Sequence, residues 1–292
     1  EMRQDVSKDK EIIMRELDVR YANHPEYSKH YTTEELRKHY LIEKVFIEDD
    51  IALTYSHQDR IIAGGAYPVN KVLKLEAGDA LRADYFLKRR ELGIINIAGD
   101  GIVTLDGVEY ELKKTDCLYV GMGTKEVLFA SKDKNKPAKF YMCSAPAHKT
   151  CPTRLLPIAD AKKVPCGDQE HLNVRTINQF IHSDVVETCQ LAMGLTVLAP
   201  GSAWNTMPCH THERRMEVYF YFELGDDDVV FHLMGQPTEP RTIVLKNEPA
   251  VISPSWSIHS GFATKNYAFI WGMCGENKTY TDMDVIKTTD LK

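Results

Sequence analysis

From Val45 onward the chain is written in short apolar runs that alternate with polar positions and break at Gly, Asp and Asn, the period-two pattern of half-buried strands. In Ile102-Val103-Thr104-Leu105-Asp106-Gly107-Val108-Glu109-Tyr110-Glu111-Leu112 the Asp-Gly pair between two such runs predicts a tight hairpin. Residues 1–44 differ: they are charged and helix-like, and Thr32 to Glu35 has capping-box spacing ahead of Leu36-Arg37-Lys38-His39-Tyr40-Leu41. Between about Cys151 and Glu187, Pro, Lys, Asp and Asn interrupt the pattern, which resumes at Thr188. The order expected is a short helical N-terminal segment (1–44), a first β unit (45–150), a connector (151–187) and a second β unit (188–292). The fold class expected is mainly β.

The two β units share punctuation. Arg89-Arg90-Glu91 leads through an apolar strand to Gly99-Asp100, and Arg214-Arg215-Met216-Glu217 leads to Gly225-Asp226 at the same Glu-to-Gly spacing of eight. Aligning Glu91 with Glu217 sets Asp84 and Phe86 opposite His210 and His212, and Asp116–Glu126 lies on Pro249–His259 with Glu126 at the place of His259. The pattern predicts an internal duplication whose first copy lacks the imidazoles.

Those imidazoles are the candidate chemistry. His210 and His212 are two apart, so on an extended backbone both leave one face; Glu217 precedes the run Val-Tyr-Phe-Tyr-Phe, and His259 precedes the strand-like Tyr267–Trp271. Three imidazoles and a carboxylate suit zinc, iron, nickel or manganese as a Lewis acid. Cys209 is next to His210 but alternates to the other face. His232 reads as a packed residue, and Trp204, Tyr219, Tyr221 and Trp271 as filling for the unit or its interfaces.

Composition narrows the function classes. The chain has 292 residues, 43% of them hydrophobic, enough for a large core, and a net charge of -6 without a basic stretch, which argues against a nucleic-acid partner. No apolar run is long enough to span a bilayer and the first residues lack an apolar signal core, so no membrane partner and a cytoplasmic location are expected. Seven cysteines, an odd number without a C-x-x-C pair, fit reduced thiols.

His-x-His-x4-Glu followed by Pro-x4-His resembles the two metal motifs of the cupin superfamily, although Trp256 stands where a glycine is common after the proline. A closer resemblance runs through Tyr55-Ser-His-Gln-Asp-Arg-Ile-Ile-Ala-Gly-Gly, Tyr85-Phe-Leu-Lys-Arg-Arg-Glu-Leu-Gly and Asn205-Thr-Met-Pro-Cys-His-Thr-His-Glu-Arg-Arg-Met-Glu-Val-Tyr-Phe-Tyr-Phe. These strings resemble the family of 4-deoxy-L-threo-5-hexosulose-uronate ketol-isomerases. The resemblance implies a bicupin of two jelly-roll β-barrels, with one Zn2+ per subunit in the C-terminal barrel on His210, His212, Glu217 and His259. It also implies a homohexamer and a part in pectin and uronate breakdown.

The implied reaction is an aldose-to-ketose isomerisation of a small open-chain uronate to 3-deoxy-D-glycero-2,5-hexodiulosonate, which needs a base and a carboxylate reader. Glu217, Glu213 and Glu223 are the candidate bases, and Arg175, Arg214 and Arg215 the candidate readers. Two alternatives remain open at this point: an iron-dependent cupin dioxygenase, distinguished by redox dependence, and a non-catalytic sugar-binding cupin, distinguished by the absence of turnover.

Overall fold

The computed structural model describes residues 16–276 and 280–292. Its strands form two seven-stranded sheets, two four-stranded sheets and one two-stranded ladder. The chain is mainly β as its alternation predicts, and the Asp106-Gly107 hairpin is present: both residues have positive φ (47° and 86°) and Leu105 pairs with Val108. No closed barrel forms among the described residues; each seven-stranded sheet instead lies over a four-stranded one.

Residues 1–15 of the N-terminal segment lie outside the described part. The remainder is not purely helical. It holds a strand, Asp18–Arg20, a single-turn helix, Pro25–Ser28, and the helix Thr33–Tyr40. The capping box forms, with the Glu35 N–H donating to Thr32 Oγ1 at 3.3 Å and the Thr32 N–H donating to the Glu35 carboxylate at 2.7 Å. Leu36 and Tyr40 are buried against the second half, and Leu41–Ile42 pair with Ala250 and Val251 at the edge of its large sheet.

The segment 151–187, expected as a connector, contributes three strands. Arg154–Leu156 edges the first large sheet, while Lys162–Cys166 and Arg175–Ile181 open the second. Lys162, Lys163 and Pro165 all sit on the edge strand Lys162–Cys166, where exposed charge and a missing backbone donor are tolerated. The residues that hid these strands in the sequence are thus edge-strand residues.

The second large sheet runs, in spatial order, through Lys162–Cys166, Arg175–Ile181, Ala192–Leu198, Ala268–Gly275, Arg215–Phe222, Ala250–Ser253 and Leu41–Ile42. Both faces of its central strands are covered, so Arg215–Phe222 is buried throughout. Met216, Val218, Phe220 and Phe222 face the first large sheet, meeting Tyr141, Cys143 and Ile95 in one apolar layer. Tyr219 and Tyr221 face the other way, towards the second four-stranded sheet and its Val230, Met234 and Ile243. The molecule is therefore layered as small sheet, large sheet, large sheet, small sheet, with an apolar core at each of the three contacts.

Strand pairing moves the duplication by one residue from the frame expected. Glu217 pairs with Ser253, at the end of Ala250–Ser253, and the corresponding Val120, at the end of Cys117–Val120, pairs with Leu92. Leu92, not Glu91, is the counterpart of Glu217, and a one-residue shift exchanges the faces of a strand. Glu91 therefore points between the two large sheets. There its fully buried carboxylate accepts the N–H groups of Cys189 (2.8 Å), Gln190 (2.7 Å) and Leu191 (2.7 Å) and the Tyr119 hydroxyl (2.7 Å).

Glu91 thus clasps the second half to the first. Replacement by Ala leaves three backbone donors without an acceptor at about 1–3 kcal/mol each. Glu91→Ala is expected to lower the unfolding free energy in urea by at least about 3 kcal/mol; an unchanged midpoint and slope would show that the clasp does not hold the halves.

Candidate metal centre

The four ligand-type residues come from three places in the chain and meet at one end of the second half. His210–Thr211 is a two-residue strand held by Asp284–Val285, with the Ile286 N–H donating to the Cys209 carbonyl at 2.9 Å. Glu217 projects from Arg215–Phe222, and His259 stands just before Ser260–Ala263. One ligand atom from each of His210, His212, Glu217 and His259 lies within 4.8 Å of all the others.

The contacts inside the group fit a cation. His212 Nε2 is 3.1 Å and His259 Nε2 3.0 Å from Glu217 Oε2, and the Nε2 atoms of His259 and His210 are 3.1 Å apart. Donors about 2.0–2.1 Å from a tetrahedral ion stand roughly 3.4 Å apart, close to these separations. The outer ring nitrogens fix the tautomer: the Nδ1–H of His212 donates to the Arg215 carbonyl at 2.7 Å, and His259 Nδ1 lies 3.3 Å from the Ser257 carbonyl. The Nε2 atoms of His212 and His259 are thereby left as lone pairs aimed at the centre.

Protonation agrees with that geometry. Burial, with His259 alongside, pushes the His210 imidazole down to about 3, and burial lowers His259 as well. Burial works against ionisation of Glu217, but the adjoining His259 and His212 hold its carboxyl well below the usual range. Neutral imidazoles around a carboxylate are the donor set that a divalent ion requires.

A cavity of about 360 Å³ opens from this group along the inner face of the large sheet. Its wall follows the strand rows, with Arg175, Ile177 and Gln179 from one strand, Thr196 from the next, Phe269, Trp271 and Met273 from the third, and Glu217 and Tyr219 from the fourth. A β-bulge after Gln179 ends the alternation, so Phe180 and Ile181 both turn to the apolar layer between the large sheets. Tyr219 hydrogen-bonds Thr206 through their hydroxyls at 2.9 Å.

Only some of the sequence candidates reach this cavity. Glu213 is exposed, and Glu223 is exposed and paired with Lys114 at 2.8 Å. Glu223 shares a strand face with Glu217 by spacing, but its positive φ of 64° shows the chain already turning away. Arg214 is exposed and paired with Glu276, because the turn before Arg215 directs it outward. Arg215 lines the cavity but is neutralised by Asp282 at 3.1 Å, and its guanidinium lies over the Tyr280 ring at 4.6 Å. Arg175 lines the cavity, donates to the Asn173 carbonyl at 2.8 Å and forms no ion pair among the described residues.

His232 lies deeper, its Nδ1 in hydrogen-bond contact with the Tyr221 hydroxyl at 2.7 Å, outside the metal group. Cys209 is buried and also outside it. Tyr219 and Trp271, expected as filling, form cavity wall. Sequence reasoning missed Gln179, Thr196 and Tyr280. Gln179 carried a signal, since it stands four residues after Arg175 on the same strand face. Tyr280 carried none, because it follows the last long strand and reaches the cavity only through tertiary folding.

A model of the KduI/IolB family matches residues 40–288. A 4-deoxy-L-threo-5-hexosulose-uronate ketol-isomerase from Lachnoclostridium phytofermentans is 56% identical over 276 residues, covering 94% of this chain and 100% of that one. The protein of the same name from Escherichia coli (strain K12 / DH10B) is 56% identical over 278 residues with equal coverage. An IolB-like protein from Salmonella typhimurium superposes with a TM-score of 0.68 at 14% identity, over 85% of this chain and 96% of that one. An oxalate decarboxylase from Bacillus subtilis with Mn(II) centres gives 0.50 at 10% identity, over 77% and 71%. At such identities the two structures show the fold alone, which is cupin-like.

His210 and His232 are both pushed by burial to about 3, whereas an unfolded histidine titrates near 6.5. The unfolded chain then binds more protons, so stability falls as pH drops below about 6.5 and the loss levels off near the folded value. Chelator-treated protein is expected to lose stability progressively between roughly pH 6 and 4 because these two groups stay neutral in the folded state while they charge in the unfolded chain. Urea midpoints at pH 7, 6 and 5 check this, and a flat profile would contradict neutral histidines in the site.

Proposed function

The chain belongs to the KduI/IolB family, and from that premise we propose that it is a zinc-dependent 4-deoxy-L-threo-5-hexosulose-uronate ketol-isomerase. Its reaction would convert this open-chain aldose to the ketose 3-deoxy-D-glycero-2,5-hexodiulosonate. The observation that carries the reading is a buried group of three imidazoles and a carboxylate at one end of a cavity that also contains Arg175, which has no ion pair among the described residues. Relatives with that name, matched along their whole length at more than half identity, support it.

His210, His212, Glu217 and His259 would hold a divalent cation, which would supply Lewis-acid polarisation of the sugar carbonyl. Isomerisation then needs a proton carried from C2 to C1 through a cis-enediolate. Of the three candidate carboxylates only Glu217 lines the cavity, and its contacts with His212 and His259 fall on Oε2. Its Oε1 is the atom we assign to the proton transfer. Arg175 reads the substrate carboxylate, since Arg214 points outward and Arg215 is occupied by Asp282.

The same reading takes the chain as a bicupin with a metal-free first unit, acting as a cytoplasmic homohexamer in pectin and uronate breakdown. The apolar filling of the first unit supports the metal-free assignment: Leu92 stands where the second unit has Glu217.

Anaerobic assay of the purified protein with the uronate tests the activity. Turnover without oxygen that vanishes on chelation and returns with zinc is expected, whereas oxygen-dependent turnover or none from zinc-loaded protein would overturn it. His259→Ala should lose zinc and turnover while remaining folded, which metal analysis and circular dichroism would check. Arg175→Ala should raise KM roughly 10- to 100-fold, the worth of a charged hydrogen-bonded contact, with a smaller effect on kcat.

A further inference from the structure

Among the described residues three buried polar atoms on the cavity wall have no hydrogen-bond partner; one, Arg215 Nη2, is ion-paired with Asp282 at 3.1 Å, which leaves Gln179 Oε1 and the Tyr280 hydroxyl. Buried polar groups are normally paired, and two that line one cavity call for a partner that enters it. Both lie in the same stretch of wall. Gln179 pairs with Gly194, and Gly194 with Trp271, so the three share one row across the sheet. The indole lies across Gly194, where an added Cβ would come within 2.2 Å of the ring. Tyr280 meets the same indole edge-on at 6.4 Å and stacks on His182 at 5.0 Å with an interplanar angle of 3°.

This row lies between the two ends of the site. Glu217 is one inward-facing position away along its strand from Tyr219, which pairs with Trp271; Arg175 lies two inward-facing positions beyond Gln179 on its own strand. A ligand reaching from the metal group to Arg175 would cross the row of Gln179 and Trp271, with Tyr280 against the indole.

We propose that Gln179 and Tyr280 read the central oxygens of the substrate, an assignment that rests on the isomerase reading. The 4-deoxy-5-keto uronate has two oxygens between its reacting C1–C2 end and its carboxylate: a hydroxyl on C3 and a carbonyl on C5. The Gln179 amide oxygen accepts from the C3 hydroxyl, and the Tyr280 hydroxyl donates to the C5 carbonyl. A 5-hydroxy uronate still accepts from Tyr280 through its hydroxyl oxygen, but presents a donor where the keto sugar has none. Tyr280 is a specificity-determining residue in this arrangement, and Arg215, under its ring, together with His182 holds it in position.

Tyr280→Phe removes one oxygen and keeps the ring over Arg215 and on His182; Gln179→Leu removes the acceptor at similar size. Each is expected to raise KM for the uronate roughly tenfold, with kcat changed by less than about threefold, because contacts made equally in ground and transition states affect KM alone. Zinc content and melting temperature are expected to stay at wild-type values. Unchanged KM in both variants would overturn the proposal, and so would a KM change accompanied by loss of zinc or of thermal stability, since that marks a structural role. Wild-type protein is assayed on the same substrate. An inactive wild type refutes the isomerase reading and this inference with it, whereas an active wild type with unaltered variants refutes this inference alone.

Discussion

Packing three imidazoles and a carboxylate together out of water is costly unless a cation joins them, and the second half of the molecule is arranged around that constraint. Two ring nitrogens, His210 Nε2 and His259 Nε2, face each other at 3.1 Å with burial keeping both imidazoles neutral. The group could hold a metal ion, which would join these donors. Backbone and side-chain contacts outside the ring, such as His212 Nδ1 to the Arg215 carbonyl at 2.7 Å, aim the rings before the ion arrives.

Holding the group needs rigidity on every side, and the layered sheets supply it. Arg215–Phe222 is bonded on both edges, to Ala250–Ser253 and Ala268–Gly275, and packed on both faces. The first half backs it with a full apolar layer, and the Glu91 clasp ties the start of the second half to that support. The N-terminal helix Thr33–Tyr40 contributes Leu36 and Tyr40 to the far core, and Leu41–Ile42 closes the sheet edge. The first half is therefore required mechanically by the site in the second.

The cavity grades from charge to charge. Carboxylate and imidazoles occupy one end, Arg175 lies towards the other, and between them stand Trp271, Tyr219, Gln179 and Tyr280. Arg215 sits close to the metal group, but Asp282 at 3.1 Å cancels its charge, so it does not compete with the cation site or with Arg175 for an anionic ligand. With a cation held by the metal group, positive charge would stand at both ends, an arrangement suited to the proposed elongated substrate, polar at C1–C2 and anionic at C6.

The sequence alone determined the strand content, the Asp106-Gly107 turn and the Thr32–Glu35 cap, because each depends on residues a few positions apart, and it singled out His210, His212, Glu217 and His259, which the fold then brings together from three places in the chain. Period-two geometry places His210 and His212 together, and a hairpin turn or cap is local chemistry. Only the tertiary structure decided the rest. The frame of the duplication depended on which strands pair, and a one-residue shift turned Glu91 from a supposed counterpart of Glu217 into an interlayer clasp. Lys162–Cys166 was hidden because edge strands tolerate Lys and Pro that interior strands do not. Glu213, Glu223 and Arg214 carry the right chemistry but face solvent, while Tyr280 reaches the cavity from beyond the last long strand. Spacing fixes which side chains share a strand face, but which face becomes a cavity is set by contacts between residues far apart in the chain.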